Sequence, residues 1–284
     1  MRGALAILGP GTLGLSTAQW AAECGLQVKL LGRDRRHALG GFQRLEARWH
    51  RAVQEKRLTA DACLKAQSRI TCSAFEPEAM AGLGAFLEAL PEAPGIKIRA
   101  LAQAKAWGDP GLLLLSGTSA LPITELALGA DLQHRLVGFH LFVPVPSMAV
   151  VETAVPTGTD QVWIDRTREL GLSLHKRVIQ VRDQPGFAAA RMALAQGLEA
   201  MRLLESGVAS AEDLDALMTL GYGHPVGPLE LSDRVGLDLR LNITEGLVAR
   251  GETRFKPPAI LQRLTQQGQL GRKSGQGFYP WRRA

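Results

Sequence analysis

A glycine-rich turn near the start of the chain constrains the fold more than any other feature. The motif GPGTLG places Gly9, Gly11 and Gly14 between the apolar run ALAIL and an alanine-rich stretch. In that context G-x-G-x-x-G is typical of a strand, a tight turn and a helix whose N-terminal N–H groups receive dinucleotide phosphates. We expect Gly9 to make the turn, Gly11 to admit the pyrophosphate and Gly14 to let the helix pack on the strand. The motif therefore predicts a dinucleotide site that also includes Thr12 and Leu13.

The remaining pattern predicts two domains. Short apolar runs at 26–32, 85–90, 111–117, 134–142 and 177–183 alternate with helical stretches, of which the longest extends from about 37 to 67. This alternation is typical of a doubly wound, largely parallel α/β sheet of the Rossmann type. After Asp183 the pattern becomes helical. We predict an NAD(P)-binding domain over 1–184 and an all-α C-terminal domain over 185–284.

Composition excludes several classes of protein. No run of the 284 residues approaches the length of a membrane-spanning helix, and the N-terminus leads straight into the first expected strand, not a signal peptide. The three cysteines, Cys24, Cys63 and Cys72, are widely spaced and form no C-x-x-C, which indicates a reducing cytoplasm and neither disulfides nor a metal site. The net charge of +6 comes without a nucleic-acid motif. It favours an anionic small ligand such as a nucleotide or a coenzyme A thioester.

The end of the second expected strand bears on the choice of dinucleotide. An NAD-binding fold usually has an acidic residue there for the adenosine ribose, but this chain has Gly32 followed by Arg33. Without the acid a 2′-phosphate is not repelled, and an arginine can bind it. The cofactor is therefore NAD or NADP, and Arg33 favours NADP unless it is only a solvated loop residue.

An apolar run in the middle of the chain contains two ionisable residues. In VGFHLFVPVPSMAVVETA (137–154) only His140 and Glu152 can carry charge. Histidine can accept and return a proton near neutral pH, and a carboxylate can fix its tautomer and stabilise its charged form. The pair predicts general acid/base catalysis. The alternative is a histidine that belongs only to the core.

Several segments together resemble the short-chain L-3-hydroxyacyl-CoA dehydrogenases, including the 3-hydroxybutyryl-CoA dehydrogenases. Beside GPGTLG they are LSGTSALPI (115–123), GFHLFVPVPSMAVVE (138–152), DQPGFAAAR (183–191), GHPVGPLELSDRVGLD (223–238) and LGRKSGQGFYPW (270–281). The resemblance implies an N-terminal Rossmann domain and a helical C-terminal domain that forms a homodimer. It also implies hydride transfer between a 3-hydroxyacyl-CoA and a 3-oxoacyl-CoA.

The resemblance also implies roles for individual residues. His140 matches the family's catalytic histidine and Glu152 its partner glutamate. Ser119 matches the serine that touches the substrate near the nicotinamide, and Glu92 and Lys97 match two residues that line the cofactor site.

A basic segment adds a candidate for binding the substrate. In QEKRLT (54–59), Lys56 could face the acidic coenzyme A tail, although a solvated helix end would have the same sequence.

The chain departs from the family at three positions. Val143, Gly117 and Ala190 stand where relatives have asparagines. These losses leave two alternatives beside the main prediction of a cytoplasmic, homodimeric 3-hydroxyacyl-CoA dehydrogenase. One is a related dehydrogenase acting on another hydroxy acid or on a carrier-protein-bound hydroxyacyl group. The other is a non-catalytic scaffold with the same fold, against which the intact pair of His140 and Glu152 weighs.

Overall fold

The computed structural model describes residues 3–282. It divides into two compact units, the first ending at Phe187 and the second beginning at Ala188. No helix within residues 3–282 is long and apolar enough to cross a membrane.

One sheet organises the first unit. Its strands, within the described residues, are β1 (Ala4–Leu8), β2 (Val28–Gly32), β3 (Ile70–Ala74), β4 (Leu83–Glu88), β5 (Leu113–Ser116), β6 (Val137–Leu141), β7 (Val150–Val155) and β8 (Arg177–Arg182). They lie in the order β3-β2-β1-β4-β5-β6-β7-β8. Strands β1 to β6 are parallel, β7 is antiparallel to β6, and β8 is parallel to β7.

Helices cover the sheet on both faces. They are α1 (Thr12–Glu23), α2 (Arg35–Gln54), α3 (Ala60–Gln67), α4 (Pro94–Trp107), α5 (Ile123–Gly129) and α6 (Gln161–Ser173), with short 3-10 helices at Pro77–Met80 and Val145–Ser147. Because successive strand side chains point to opposite faces, Leu5 and Ile7 of β1 enter one apolar core, while Ala6 and Leu8 enter the other. The strand order reverses between β1 and β4, which is where α/β sheets of this kind bind ligands.

The long helical stretch expected from 37 to 67 is two helices. Helix α2 ends at Gln54 and α3 begins at Ala60. Lys56 between them has a φ of 56°, which an α-helix cannot contain. The Thr59 hydroxyl then caps α3 by accepting the Ala62 N–H at 3.2 Å, so the chain restarts in a new direction.

The second unit is helical. It contains α7 (Ala189–Glu205), α8 (Ala211–Ala216), a π-helical turn (Leu217–Gly221), α9 (Pro228–Val235), α10 (Leu237–Val248), a 3-10 helix (Thr253–Phe255) and α11 (Ala259–Gln266). Leu194, Leu198 and Met201 of α7 lie in its apolar core. The prediction of a Rossmann-type α/β domain followed by an all-α domain is confirmed.

A buried carboxylate holds the C-terminal segment of this unit. Asp233 accepts hydrogen bonds from the backbone N–H groups of Phe278 at 3.0 Å and Tyr279 at 2.9 Å, and from Nε1 of Trp281 at 2.8 Å. A Cβ on Gly277 would lie 2.1 Å from Asp233 Oδ1. The GQGFYPW segment is thus built around one side chain of α9.

The three cysteines are free thiols. Burial raises the pKa of Cys24 and Cys72 to about 11, so these two stay protonated and unreactive at neutral pH.

Candidate active site

Glycines and polar residues at the carboxyl ends of the strands gather at one edge of the sheet. Gly9 follows β1, Gly32 ends β2, Glu88 ends β4, Ser116 ends β5, and His140 is the penultimate residue of β6. Because β1 to β6 are parallel, their carboxyl ends share an edge. The dinucleotide motif and the histidine therefore lie at the same edge of the sheet.

The glycine loop has the shape that dinucleotide phosphates require. Gly9 has a φ of 107°, and a Cβ on Gly14 would lie 1.9 Å from the Gly9 carbonyl oxygen. A Cβ on Gly11 would meet no atom of the described residues within 4 Å. The first N–H groups of α1, beginning with Thr12 and Leu13, have no acceptor within the helix, and no described side chain caps it. The cradle fits a pyrophosphate.

His140 and Glu152 are directly opposite each other on antiparallel strands β6 and β7. His140 Nδ1 lies 2.9 Å from Glu152 Oε2, and both side chains are buried. A carboxylate here accepts a hydrogen bond from Nδ1–H, which leaves the Nε2 lone pair as the basic site of the neutral ring. The rings of Phe142 and Phe187 lie 4.6 Å and 6.1 Å from the imidazole, centroid to centroid. The geometry is that of a proton-transferring histidine with an orienting carboxylate in apolar surroundings.

A buried cluster of charges lies beside this pair, at the ends of β4 and β5. Lys97 of α4 has 1% of its side chain exposed, and its Nζ lies 3.0 Å from both carboxylate oxygens of Glu88 and 3.2 Å from Glu92 Oε2. It also donates to the Leu90 carbonyl at 3.1 Å. One ammonium thus serves two carboxylates. Burial raises the pKa of Glu88, and Lys97 only partly opposes this effect.

Glu92 connects the cluster to the loop that carries Ser119. Glu92 Oε1 accepts hydrogen bonds from the N–H groups of Ser119 at 3.1 Å and Ala120 at 3.2 Å, and from the Thr118 hydroxyl. This loop follows β5, whose neighbour β6 carries His140. Glu92 and Lys97 therefore hold the Ser119 backbone in place, and Lys97 is itself sequestered from solvent.

Sequence reasoning missed two members of this cluster. Glu88 lies within an apolar run that predicts only a strand, and Ser116, whose hydroxyl donates to Glu88, has no pattern that marks it. The available signal was a lone acid at the end of a strand, six positions before a Pro-Gly helix start and nine before Lys97.

A cavity of about 300 Å³ lies at the end of β2. Its lining includes Gly9, Gly32 and three basic side chains, Arg33, His37 and Arg99. A Cβ on Gly32 would lie 2.7 Å from the Ala38 nitrogen, because the N-terminus of α2 folds back over it. The backbone therefore leaves no room at this position for the acid that NAD-binding folds usually carry.

A larger cavity of about 470 Å³ lies between α1, α2 and the turn that joins β6 to β7. Arg48, Arg51 and Arg57 line it on one side, and Val143 lies among the lining residues of the turn. Lys56, singled out in the sequence, is exposed and is not among the lining residues. The cations that face this cavity are arginines whose spacing the sequence analysis did not recognise.

The three departures from the family occupy different environments. Val143 is 46% exposed in the larger cavity. A Cβ on Gly117 would lie 2.9 Å from both the Glu88 carbonyl oxygen and Leu13 Cδ2, so an asparagine there would need a backbone shift. Ala190 belongs to the second unit, in α7.

A dinucleotide cradle and a histidine–carboxylate pair at one sheet edge define the class of protein, a nicotinamide-dependent oxidoreductase. The chain belongs to the 3-hydroxyacyl-CoA dehydrogenase family. Residues 4–184 match the family model for the NAD binding domain of 3-hydroxyacyl-CoA dehydrogenase, and residues 186–281 match its C-terminal domain. The cofactor is accordingly a nicotinamide dinucleotide. The fold and the enzyme class predicted from the sequence are confirmed.

Individual relatives are similar over nearly the whole chain. A probable 3-hydroxybutyryl-CoA dehydrogenase of Bacillus subtilis is 33% identical, covering 97% of this chain and 96% of the relative. A 3-hydroxybutyryl-CoA dehydrogenase of Mycobacterium tuberculosis is 32% identical, with 97% of each covered. The crystal structure of (S)-3-hydroxybutyryl-CoA dehydrogenase from Ralstonia eutropha superposes with a TM-score of 0.94 at 30% identity, covering 99% of this chain and 100% of that one.

Replacing Lys97 tests the buried charge cluster. Lys97→Met leaves Glu88 and Glu92 without their shared cation, so we expect the free energy of unfolding of the first unit to fall by about 3–5 kcal/mol, measured by urea denaturation. Lys105→Met on the same helix removes an exposed pair with Asp131 and should cost about 1 kcal/mol or less. Adding Glu88→Gln to Lys97→Met should recover part of the loss. Equal effects of the two single substitutions would contradict the assignment.

Proposed function

We propose that the protein interconverts a 3-hydroxyacyl-CoA and the corresponding 3-oxoacyl-CoA, with His140 as the general acid/base. The observation that carries this proposal is the contact of 2.9 Å between His140 Nδ1 and Glu152 Oε2, at the same sheet edge as the dinucleotide loop. Named relatives that cover nearly the whole chain are dehydrogenases, which supports an enzyme over a non-catalytic scaffold.

The proposed chemistry assigns each member of the pair a step. Oxidation of a secondary alcohol removes the hydroxyl proton while a hydride leaves the same carbon. His140 Nε2 accepts that proton, and in the reverse direction returns it to the carbonyl oxygen. Glu152 keeps the proton on Nδ1 before the reaction and stabilises the imidazolium afterwards. The apolar surroundings strengthen the attraction between the two charges.

The glycine loop supplies the cofactor site. Gly9, Gly11 and Gly14 with Thr12 and Leu13 would hold the pyrophosphate at the N-terminus of α1. Bound there, a nicotinamide dinucleotide accepts or supplies the hydride. Glu92 and Lys97 would complete the site by fixing the loop of Ser119, whose hydroxyl would touch the substrate oxygen.

The larger cavity would receive the coenzyme A part of the substrate. Arg48, Arg51 and Arg57 provide cations for its phosphates, since arginine binds phosphate in a bidentate manner. Lys56 remains a candidate for the same role at the rim. Val143 gives the turn side of the cavity an apolar surface where relatives place a carboxamide.

The smaller cavity supports NADP as the preferred dinucleotide. Arg33, His37 and Arg99 surround the place where a 2′-phosphate would lie if the adenosine occupies this cavity. Arg33 is largely exposed and pairs with Asp34 only weakly, at 3.4 Å. It is therefore available to a phosphate.

The two units would have different roles. We assign cofactor binding to residues 1–184, and substrate contacts and homodimerisation to 185–284. The helical unit exposes large apolar side chains, among them Met192, Leu217, Leu220 and Tyr222, and exposed apolar surface of this kind is typical of protein interfaces. A cytoplasmic location stays a prediction from the cysteines.

Substitution of His140 tests the reaction. With acetoacetyl-CoA and NADH or NADPH in parallel, His140→Asn should lower kcat by roughly two to four orders of magnitude because the proton carrier is lost. The cofactor dissociation constant, measured by fluorescence titration, should stay nearly unchanged. His134→Asn, an exposed histidine bonded to the Gly158 carbonyl, is the matched control. Full turnover by His140→Asn would remove His140 from the mechanism. Cofactor binding by the wild type without turnover would favour another hydroxy acid or a carrier-bound substrate.

Reversal of charge at Arg33 tests the cofactor preference. Arg33→Asp should lower kcat/KM for NADPH about tenfold or more relative to NADH, because a charge-assisted contact to phosphate is replaced by repulsion. Arg36→Asp makes the same change of charge on α2 but is not among the residues that line the cavity. If the NADPH-to-NADH ratio responds equally to both substitutions, Arg33 does not bind the 2′-phosphate.

Loss of an arginine tests the coenzyme A site. We expect Arg51→Ala to raise KM for acetoacetyl-CoA about tenfold, and the increase should shrink at high salt as screening weakens the wild-type contact. Lys56→Ala is the matched comparison and should change KM less. A larger rise in KM for Lys56→Ala than for Arg51→Ala would show that Lys56, the residue indicated by the sequence, makes the phosphate contact.

A further inference from the structure

A lysine buried without a carboxylate partner lies just before β8. Lys176 is 3% exposed, and no Asp or Glu of residues 3–282 forms an ion pair with it. Its Nζ donates to the carbonyl oxygens of Val145 and Met148, both at 2.6 Å, and lies 4.4 Å from the centroid of the Trp20 ring. Burial lowers the pKa of this ammonium. Burying a cation without a counter-ion costs free energy. The two carbonyls and the Trp20 ring are the contacts that offset this cost.

Both carbonyls belong to the turn that joins β6 to β7. This turn connects His140 to Glu152, and it contains the 3-10 helix Val145–Ser147. Its N–H side is held from α1, where the Ser16 hydroxyl accepts the Val145 N–H at 2.9 Å. Lys176, just before β8, and Ser16, on α1, thus both form hydrogen bonds with the same turn.

The turn is one wall of the arginine-lined cavity. Val143, Pro144, Pro146 and Ser147 line it from the turn, and Ser16 lines it from α1. Through Trp20, Lys176 also touches α1, and the Trp20 Nε1–H donates to the Leu174 carbonyl at 2.7 Å, two residues before Lys176. One ammonium therefore joins the two elements whose separation sets the width of the cavity.

We infer that Lys176 is a positioning residue for the thioester substrate, fixing the β6–β7 turn against α1. This inference rests on the proposed function of the cavity. Thr12 of the cofactor loop also lines the cavity, but Trp20 lies about 12 Å along α1 from Thr12 at the helical rise per residue. Lys176 therefore contacts α1 at the end away from the cofactor loop. The pair of His140 and Glu152 is held by the strand register itself. Lys176 thus acts on substrate affinity more than on the chemical step or on the cofactor.

The test measures how Lys176→Met divides its effect among the kinetic constants. We expect KM for acetoacetyl-CoA to rise about tenfold, since two charge-assisted hydrogen bonds to the turn are lost. Both kcat and KM for the reduced cofactor should change by less than about threefold. Lys176→Arg, which keeps a cation able to donate to two carbonyls, should restore part of the affinity. Lys29→Met is the matched control. Lys29 Nζ also donates to the backbone carbonyl of a buried residue, Ala79, at 2.8 Å.

The outcomes separate this inference from the proposed reaction. Unchanged KM in Lys176→Met, or equal changes in both KM values and kcat with no rescue by arginine, would overturn it. If Lys176→Met fails to fold, Lys176→Gln replaces it. The inference is then overturned if KM for acetoacetyl-CoA in Lys176→Gln is no higher than in Lys176→Arg. Calorimetry with free coenzyme A uses the same variants. Weaker coenzyme A binding by Lys176→Met supports the inference even where the wild type does not turn over acetoacetyl-CoA, and unchanged binding contradicts it.

Discussion

The hydrogen bond between His140 and Glu152 exists because β7 runs against β6, and the rest of the site depends on that pairing. Side chains alternate between faces along a strand, so a slip of one residue would place Glu152 on the opposite face of the sheet. Close packing fixes the register. A Cβ on Gly138 would lie 2.9 Å from Ile123 Cδ1 and 3.0 Å from the Ala154 Cβ, which leaves room only for glycine opposite Ala154.

Parallel strands bring the other groups to the same edge. β4 and β5 end in Glu88 and Ser116, and Glu92 holds the loop that carries Ser119 by accepting hydrogen bonds from its backbone N–H groups. Within this network a single ammonium contacts two carboxylates, so its geometry is fixed by charge as well as by packing. Rigid support of this kind suits a site that must hold a reacting carbon between a proton carrier and a hydride carrier.

Much of this arrangement could be predicted from the sequence, and the reasons differ from element to element. The glycine loop and the pair of His140 and Glu152 are local patterns with a mechanical meaning, so they identified the fold and the candidate chemistry. Strand β3 was not predicted because ITCSA is short and half polar. Strand β7 was hidden inside a longer apolar run. Nothing in the sequence marks Lys176 as a positioning residue, because a single lysine before a strand is common. Its role depends on contacts with the β6–β7 turn, which only the structure gives. The arginines of α2 became a cluster only when the helix placed 48 and 51 on one face and the following turn added 57.

Crowding at Gly32 has a consequence for how cofactor choice could change during evolution or engineering. Folds of this kind usually favour NAD through an acid at the end of the second strand. Here that position is closed by the backbone at Ala38, whose N–H also starts the hydrogen bonding of α2 by donating to the Asp34 carbonyl. The loop must therefore be rebuilt before the acid can be accepted. Until it is, the choice of cofactor can change only through the side chains around the cavity, because the helix that follows the strand leaves space only for glycine at position 32.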